Sequence, residues 1–98
     1  MAFEIFITPS AKRAVKKLPQ EVKKEIVALC EGFIAKHPFD AEKLQKPLDE
    51  CRSFHFKLNN VYYRIAYRIV ENNERIDVVL IGTRENFYQK LRRTLRLR

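Results

Sequence analysis

Residues 54–70 read FHFKLNNVYYRIAYRIV, two alternating runs on either side of Asn59-Asn60. Asparagine tolerates the left-handed backbone of a tight hairpin turn, so this pair predicts a two-residue connection. Such a turn sets Leu58 against Val61, Phe56 against Tyr63 and Phe54 against Ile65, which makes one side of the hairpin apolar. The other side holds Lys57 across from Tyr62 and His55 across from Arg64, with no carboxylate in the whole run. A second turn centred on Asn72-Asn73 continues the pattern. It pairs Ile69 with Ile76, Tyr67 with Val78 and Ile65 with Leu80 on the apolar side, and Arg68 with Asp77 on the other. Both turns bury the same face.

Outward from this core the period changes. Phe3, Ile5 and Ile7 predict a short strand over 2–7, after which Thr8 is the expected N-cap and Pro9 the first residue of a helix. Ala11, Ala14, Val15 and Leu18 recur at helical spacing until Pro19. A second helix is expected from 19 or 20 to 36, with Val22, Ile26, Leu29, Cys30, Phe33 and Ile34 as its apolar stripe. The charge run over 12–17 reads as a solvated helix face. Residues 37–50 hold two prolines and no period, so they read as a surface connection with Leu44 and Leu48 turned inward and His37 near the helix end. After Gly82 a last helix is expected, with Thr83 as its cap, Phe87, Tyr88, Leu91 and Leu95 as its inner stripe, and a basic tail over 91–98 that frays. The order is β-α-α-β-β-β-α. It predicts an α+β class, one domain over 1–98, with a largely antiparallel four-stranded sheet and helices packed on its apolar face. Spacing does not place the first strand within that sheet.

The totals fit a compact fold: 98 residues, 46% hydrophobic, two glycines. No run of about 18 apolar residues is present, so no membrane span is expected. The amino terminus lacks the layout of a secretion signal, and a cytoplasmic location is the expectation. Cys30 and Cys51, with His37 and His55, form no metal-ligand spacing, so two reduced thiols, no metal and no cofactor are expected. The net charge of +8 is uneven. Residues 1–50 carry nine Lys/Arg against eight Asp/Glu, whereas residues 51–98 carry eleven against four. A polyanion or an acidic protein is the partner such a field favours.

Asp77 is placed to neutralise Arg68, leaving His55, Lys57 and Arg64 uncompensated on one face near Arg84 and Tyr88. Like charges on neighbouring strands disfavour folding, so a phosphate site is the better account of their gathering. Arginine offers a bidentate fork to phosphate, and tyrosine rings offer stacking surfaces to unpaired bases. Cutting RNA needs a base for the 2′-hydroxyl, cations for the charge that builds on phosphorus, and an acid for the leaving oxygen. Histidine titrates near neutrality and competes with lysine for the first role.

The run FHFKLNNVYYRIAYRIV followed by VLIGTRENFY (79–88) resembles the RelE/ParE toxin superfamily, and more particularly its RelE-like ribosome-dependent mRNA interferases. The resemblance implies a type II toxin that cuts mRNA in the ribosomal A site without metal, is held inactive by an acidic antitoxin, and meets operator DNA only through the antitoxin complex. It implies Lys57 as the candidate base, with His55 standing where the better-known pattern has lysine. Arg64 is then the stabiliser of transition-state charge, Arg84 the acid or second phosphate clamp, and Tyr88 the residue that stacks on or orients the nucleotide. Tyr62, Arg68, Arg92 and Arg93 are expected to bind RNA around them. Glu85 either orients Arg84 or favours the positive end of its helix. Two other readings stand beside this one: the ParE branch, which poisons DNA gyrase by binding, and a basic module that grips nucleic acid without chemistry.

Overall fold

The computed structural model describes residues 2–96. The expected tail extends to residue 98, and its last two residues lie outside the described range. Strand β1 (Glu4–Ile7) leads into helix α1 (Pro9–Lys16). Thr8 caps that helix, its Oγ1 accepting from the Ala11 amide at 3.3 Å, with Pro9 at the first turn. Helix α2 (Gln20–Leu29) passes without a break into one π-helical turn, Cys30–Ile34. The connection that follows buries Leu44 and Leu48, as expected, and contributes a two-residue strand β2 (Glu42–Lys43). Strands β3 (Cys51–Leu58), β4 (Val61–Val70) and β5 (Arg75–Thr83) and helix α3 (Phe87–Thr94) complete the order.

The sheet has five strands in the order β1-β5-β4-β3-β2. The four expected strands are thus joined by β2 on the outer edge of β3, and β1 runs parallel to β5, making the sheet mixed. Parallel pairing is available to β1 because two helices intervene before the next strand and carry the chain across the sheet. Asn59 and Asn60 both adopt positive φ, 51° and 65°, and the β3–β4 register is the one their turn dictates, from Leu58↔Val61 through Phe54↔Ile65. The second connection is a short 3-10 turn, Glu71–Asn73, with Glu74 left-handed, and it too keeps the expected pairs Ile69↔Ile76, Arg68↔Asp77 and Tyr67↔Val78.

Beyond Val78 the register changes. Val79 is an extra residue in β5, so Leu80 faces Ala66 and Ile81 faces Ile65, which corrects the expected Ile65–Leu80 pair. Such a bulge leaves a backbone group without a ladder partner. Here the Ser10 hydroxyl donates to the Val79 carbonyl at 2.9 Å, and Thr8 donates to the Val78 carbonyl through both its amide and its hydroxyl. The start of α1 therefore stitches the bulge in place.

Both faces of the sheet bury apolar side chains. One packs Tyr63, Ile65, Tyr67, Ile76, Val78 and Ile81 beneath α1, α2 and the π turn. The buried Tyr67 hydroxyl donates to the Pro38 carbonyl at 2.7 Å. The opposite face carries a smaller cluster in which Phe87 and Leu91 of α3 meet Ala66, Val79, Leu80 and Cys51, with Leu44 and Leu48 at its rim. Helix α3 thus packs on the face opposite α1 and α2, not with them, because the bulge turns both Val79 and Leu80 toward that side. Thr83, expected to cap this helix, is instead the last residue of β5 and pairs with Tyr63, and Asn86 occupies the cap position. Among the described residues no helix is long and apolar enough to cross a membrane.

Candidate functional site

Helix α3 covers only part of its face. Along β3, Cys51 and Ser53 are buried beneath it and the Leu44–Leu48 segment, whereas His55 and Lys57 on the same face are exposed. Along β4, Ala66 is buried while Arg64 is half-buried and Tyr62 is 49% exposed. The uncovered end of the sheet is thus the end that carries the cations.

Two cross-strand pairs build the site, His55↔Arg64 and Lys57↔Tyr62. The third strand joins through the bulge. A regular β5 would place Thr83 opposite Tyr62 and turn Arg84 toward the main core, since one residue of slip exchanges the faces. With Val79 inserted, Gly82 lies opposite Arg64, and the Arg84 amide donates to the Tyr62 carbonyl at 3.2 Å. Arg84 consequently reaches the cationic face, its guanidinium 5.2 Å from the centre of the Tyr62 ring, while the Lys57 ammonium lies 5.1 Å from the same ring. Arg64 rests on the Tyr88 ring at 4.8 Å, and Tyr88 stands edge-on to the buried Phe87. Each of these cations is held by the face of an aromatic ring, an attraction of roughly 0.5–2 kcal/mol depending on exposure. Among the described residues no carboxylate lies within ion-pair distance of Lys57, Arg64 or Arg84. Glu85 is exposed and forms no ion pair with Arg84.

His55 has mixed company. Its Nε2 lies 3.6 Å from the Glu42 carboxylate, which favours the imidazolium. Partial burial and the Arg64 charge across the strand pair oppose it and prevail, holding the imidazole below its usual range. That direction favours the neutral imidazole, the form that accepts a proton. Glu42 belongs to a two-residue strand with no periodicity to announce it, so its place beside His55 was not readable from the sequence.

Six of the expected residues come together here: His55, Lys57, Tyr62, Arg64, Arg84 and Tyr88. Arg68 does not join them. It lies at the covered end of the same face, bridging Glu50 at 3.6 Å and Asp77 at 3.5 Å, beside the last turn of α3. Asp77, 5% exposed, is shared with Arg75, whose Nε donates to it at 2.8 Å. Arg92 and Arg93 sit on α3, the first half-buried and the second exposed beside α1. The two cysteines are buried and free, and burial pushes their thiols up to about 12 for Cys30 and about 11 for Cys51, so neither supplies a thiolate nucleophile.

This fold has relatives. The Methanocaldococcus jannaschii protein RelE4 is 27% identical over 90 residues, covering 90% of this chain and 93% of its own. Among solved structures, the RelBE2 toxin-antitoxin complex of Mycobacterium tuberculosis superposes with a TM-score of 0.75 at 21% identity, covering 86% of this chain and 93% of that one. A double mutant of Escherichia coli toxin RelE in the free state gives 0.71 at 21% identity, covering 95% and 98%. The family model of the ParE-like toxins of type II bacterial toxin-antitoxin systems matches residues 5–92, nearly the whole of the fold. The chain therefore belongs to that toxin family, within the RelE/ParE superfamily.

Proposed function

We propose that this toxin is a ribosome-dependent mRNA endonuclease that cuts through the RNA's own 2′-hydroxyl. The observation that carries the reading is the trio Lys57, Arg64 and Arg84, braced by Tyr62 and Tyr88 on open sheet and without carboxylate partners among the described residues. Preorganised cations of this kind suit a phosphorus centre that gains negative charge as it reacts. A base removes the 2′-hydroxyl proton, the oxygen attacks phosphorus, and the 5′-oxygen leaves with a proton, giving a cyclic phosphate and a 5′-hydroxyl end. His55 and Lys57 are the candidate bases, and the neutral imidazole favours His55. Arg64 and Arg84 clamp the phosphate, the latter as second clamp or as the acid for the leaving oxygen. Tyr88 and Tyr62 offer ring faces to the flanking bases.

The substrate is mRNA in the ribosomal A site, and the toxin works in the cytoplasm, where ribosomes are. Its second partner is an acidic antitoxin, through which alone it reaches operator DNA. The net charge of +8 supports such a partner, as does the Mycobacterium tuberculosis neighbour, itself a toxin-antitoxin complex. Primer extension on message translated in vitro tests the activity: discrete breaks are expected with the native toxin and not with Arg84→Ala. Intact message together with blocked supercoiling by gyrase would instead select the other branch of the superfamily.

A further inference from the structure

A second basic surface lies beside the first, and nothing in the chemistry above uses it. Beyond Ile7, β1 ends, and the outer edge of β5 runs on between α1 and α3 as the floor of a groove of about 830 Å³. Arg13 and Lys16 line it from α1 and Lys17 from the residue that caps that helix, while Lys90 and Arg93 line it from α3. All five are exposed, no Asp or Glu is among the lining residues, and no carboxylate lies within ion-pair distance of any of them among the described residues. In sequence the α1 run looks like an ordinary wet helix face. The fold brings it opposite like charge from a helix nearly eighty residues away, an arrangement that repulsion disfavours unless a polyanion fills the gap.

The two basic surfaces differ in their rings. On the open sheet the cations alternate with Tyr62 and Tyr88, which suits splayed bases. The groove has Phe87 as its one lining aromatic among the described residues, and Phe87 is 1% exposed. Its apolar floor serves to support lysine and arginine stems, not to stack on bases. A site rich in charge and empty of exposed rings recognises backbone whose bases are already paired.

We infer that the groove between α1 and α3 binds the phosphate backbone of helical RNA, while the adjoining tyrosine-bearing face takes the single strand to be cut. The groove reaches Gly82 and Thr83, and Gly82 is the cross-strand neighbour of Arg64, so the two surfaces meet at the end of β5. This rests on reading the domain as an RNA-directed toxin, but its test is equilibrium binding and is independent of cleavage. The probe is a stable RNA hairpin whose stem spans a full helical turn, compared with a 2′-O-methyl single strand of equal length, both titrated with the full chain at several salt concentrations. The triple variant Arg13→Gln, Lys17→Gln, Lys90→Gln is expected to weaken hairpin binding roughly tenfold or more and to flatten its salt dependence by about one power of salt for each phosphate no longer neutralised. Single-strand binding should change by less than about twofold, because the tyrosine-bearing face that takes it does not include these residues. Unchanged hairpin affinity would overturn the inference, as would an equal weakening for hairpin and single strand. So would an intact hairpin affinity accompanied by loss of the acidic antitoxin, which would assign the groove to that protein. A hairpin effect alongside uncut message would leave the groove standing and remove the proposed activity.

Discussion

Arg64 and Arg68 project from the same strand onto the same face, four residues apart, and the fold treats them in opposite ways. Arg68, beside the last turn of α3, is neutralised by Glu50 and by the buried Asp77. Arg64, beside the first turn of α3, rests on the Tyr88 ring with its fork unspent on any carboxylate among the described residues. Both guanidiniums are half-buried, so the difference lies in their neighbours: Glu50 and Asp77 reach Arg68, and no carboxylate among the described residues reaches Arg64. The contrast separates structural cations from those available to a phosphate.

Replacing Arg64 or Arg84 with alanine is the hardest blow to this contrast. Each change should lower cleavage on ribosomes by about 10²–10³-fold with the fold preserved, while Arg68→Ala should leave the rate per folded molecule within a fewfold. Equal losses at 64 and 68 would erase the distinction. Next in size is His55→Gln, expected to cost about 10²-fold if the imidazole is the base. The native rate should then fall on the acid side with a midpoint below the ordinary histidine value near 6.5, because burial and Arg64 disfavour the imidazolium. That acid limb should vanish in the variant; its persistence would move the role to Lys57.

Smaller effects concern stability. Asp77→Asn removes the countercharge that Arg68 and Arg75 share, and urea unfolding should register a loss of about 1–2 kcal/mol, discounted because both arginines are partly hydrated. Ser10→Ala leaves the bulge carbonyl of Val79 without its donor. A loss of about 1 kcal/mol is expected, with a modest fall in cleavage as Arg84 loses definition. Full stability and full rate in that variant would mean that the bulge holds without α1.

Much of the sheet was legible. Alternation over 54–70 and the two asparagine turns set which side chains share a face, and the β3–β4 ladder follows from them pair by pair. The meeting of His55, Lys57, Tyr62 and Arg64 is a consequence of that ladder. Arg84 is different. Its place just past the last strand put it near the others, but counting residues from the second turn carries it to the wrong face; the bulge at Val79 is what brings it to theirs. The covering of one end by α3 and the nearness of Glu42 to His55 were equally silent, since neither leaves a period in the sequence.

By itself the sequence determined every element except β2, the β3–β4 register, the β4–β5 register as far as Val78, and the sign of the charge, because period and turn chemistry depend on residues that are neighbours along the chain. Tertiary structure decided the parallel docking of β1, the slip in β5, and the further carboxylates that reach Arg68 and His55, Glu50 and Glu42. Those depend on contacts such as Ser10 with Val79, whose partners lie 69 residues apart and meet only when α1 packs against the sheet.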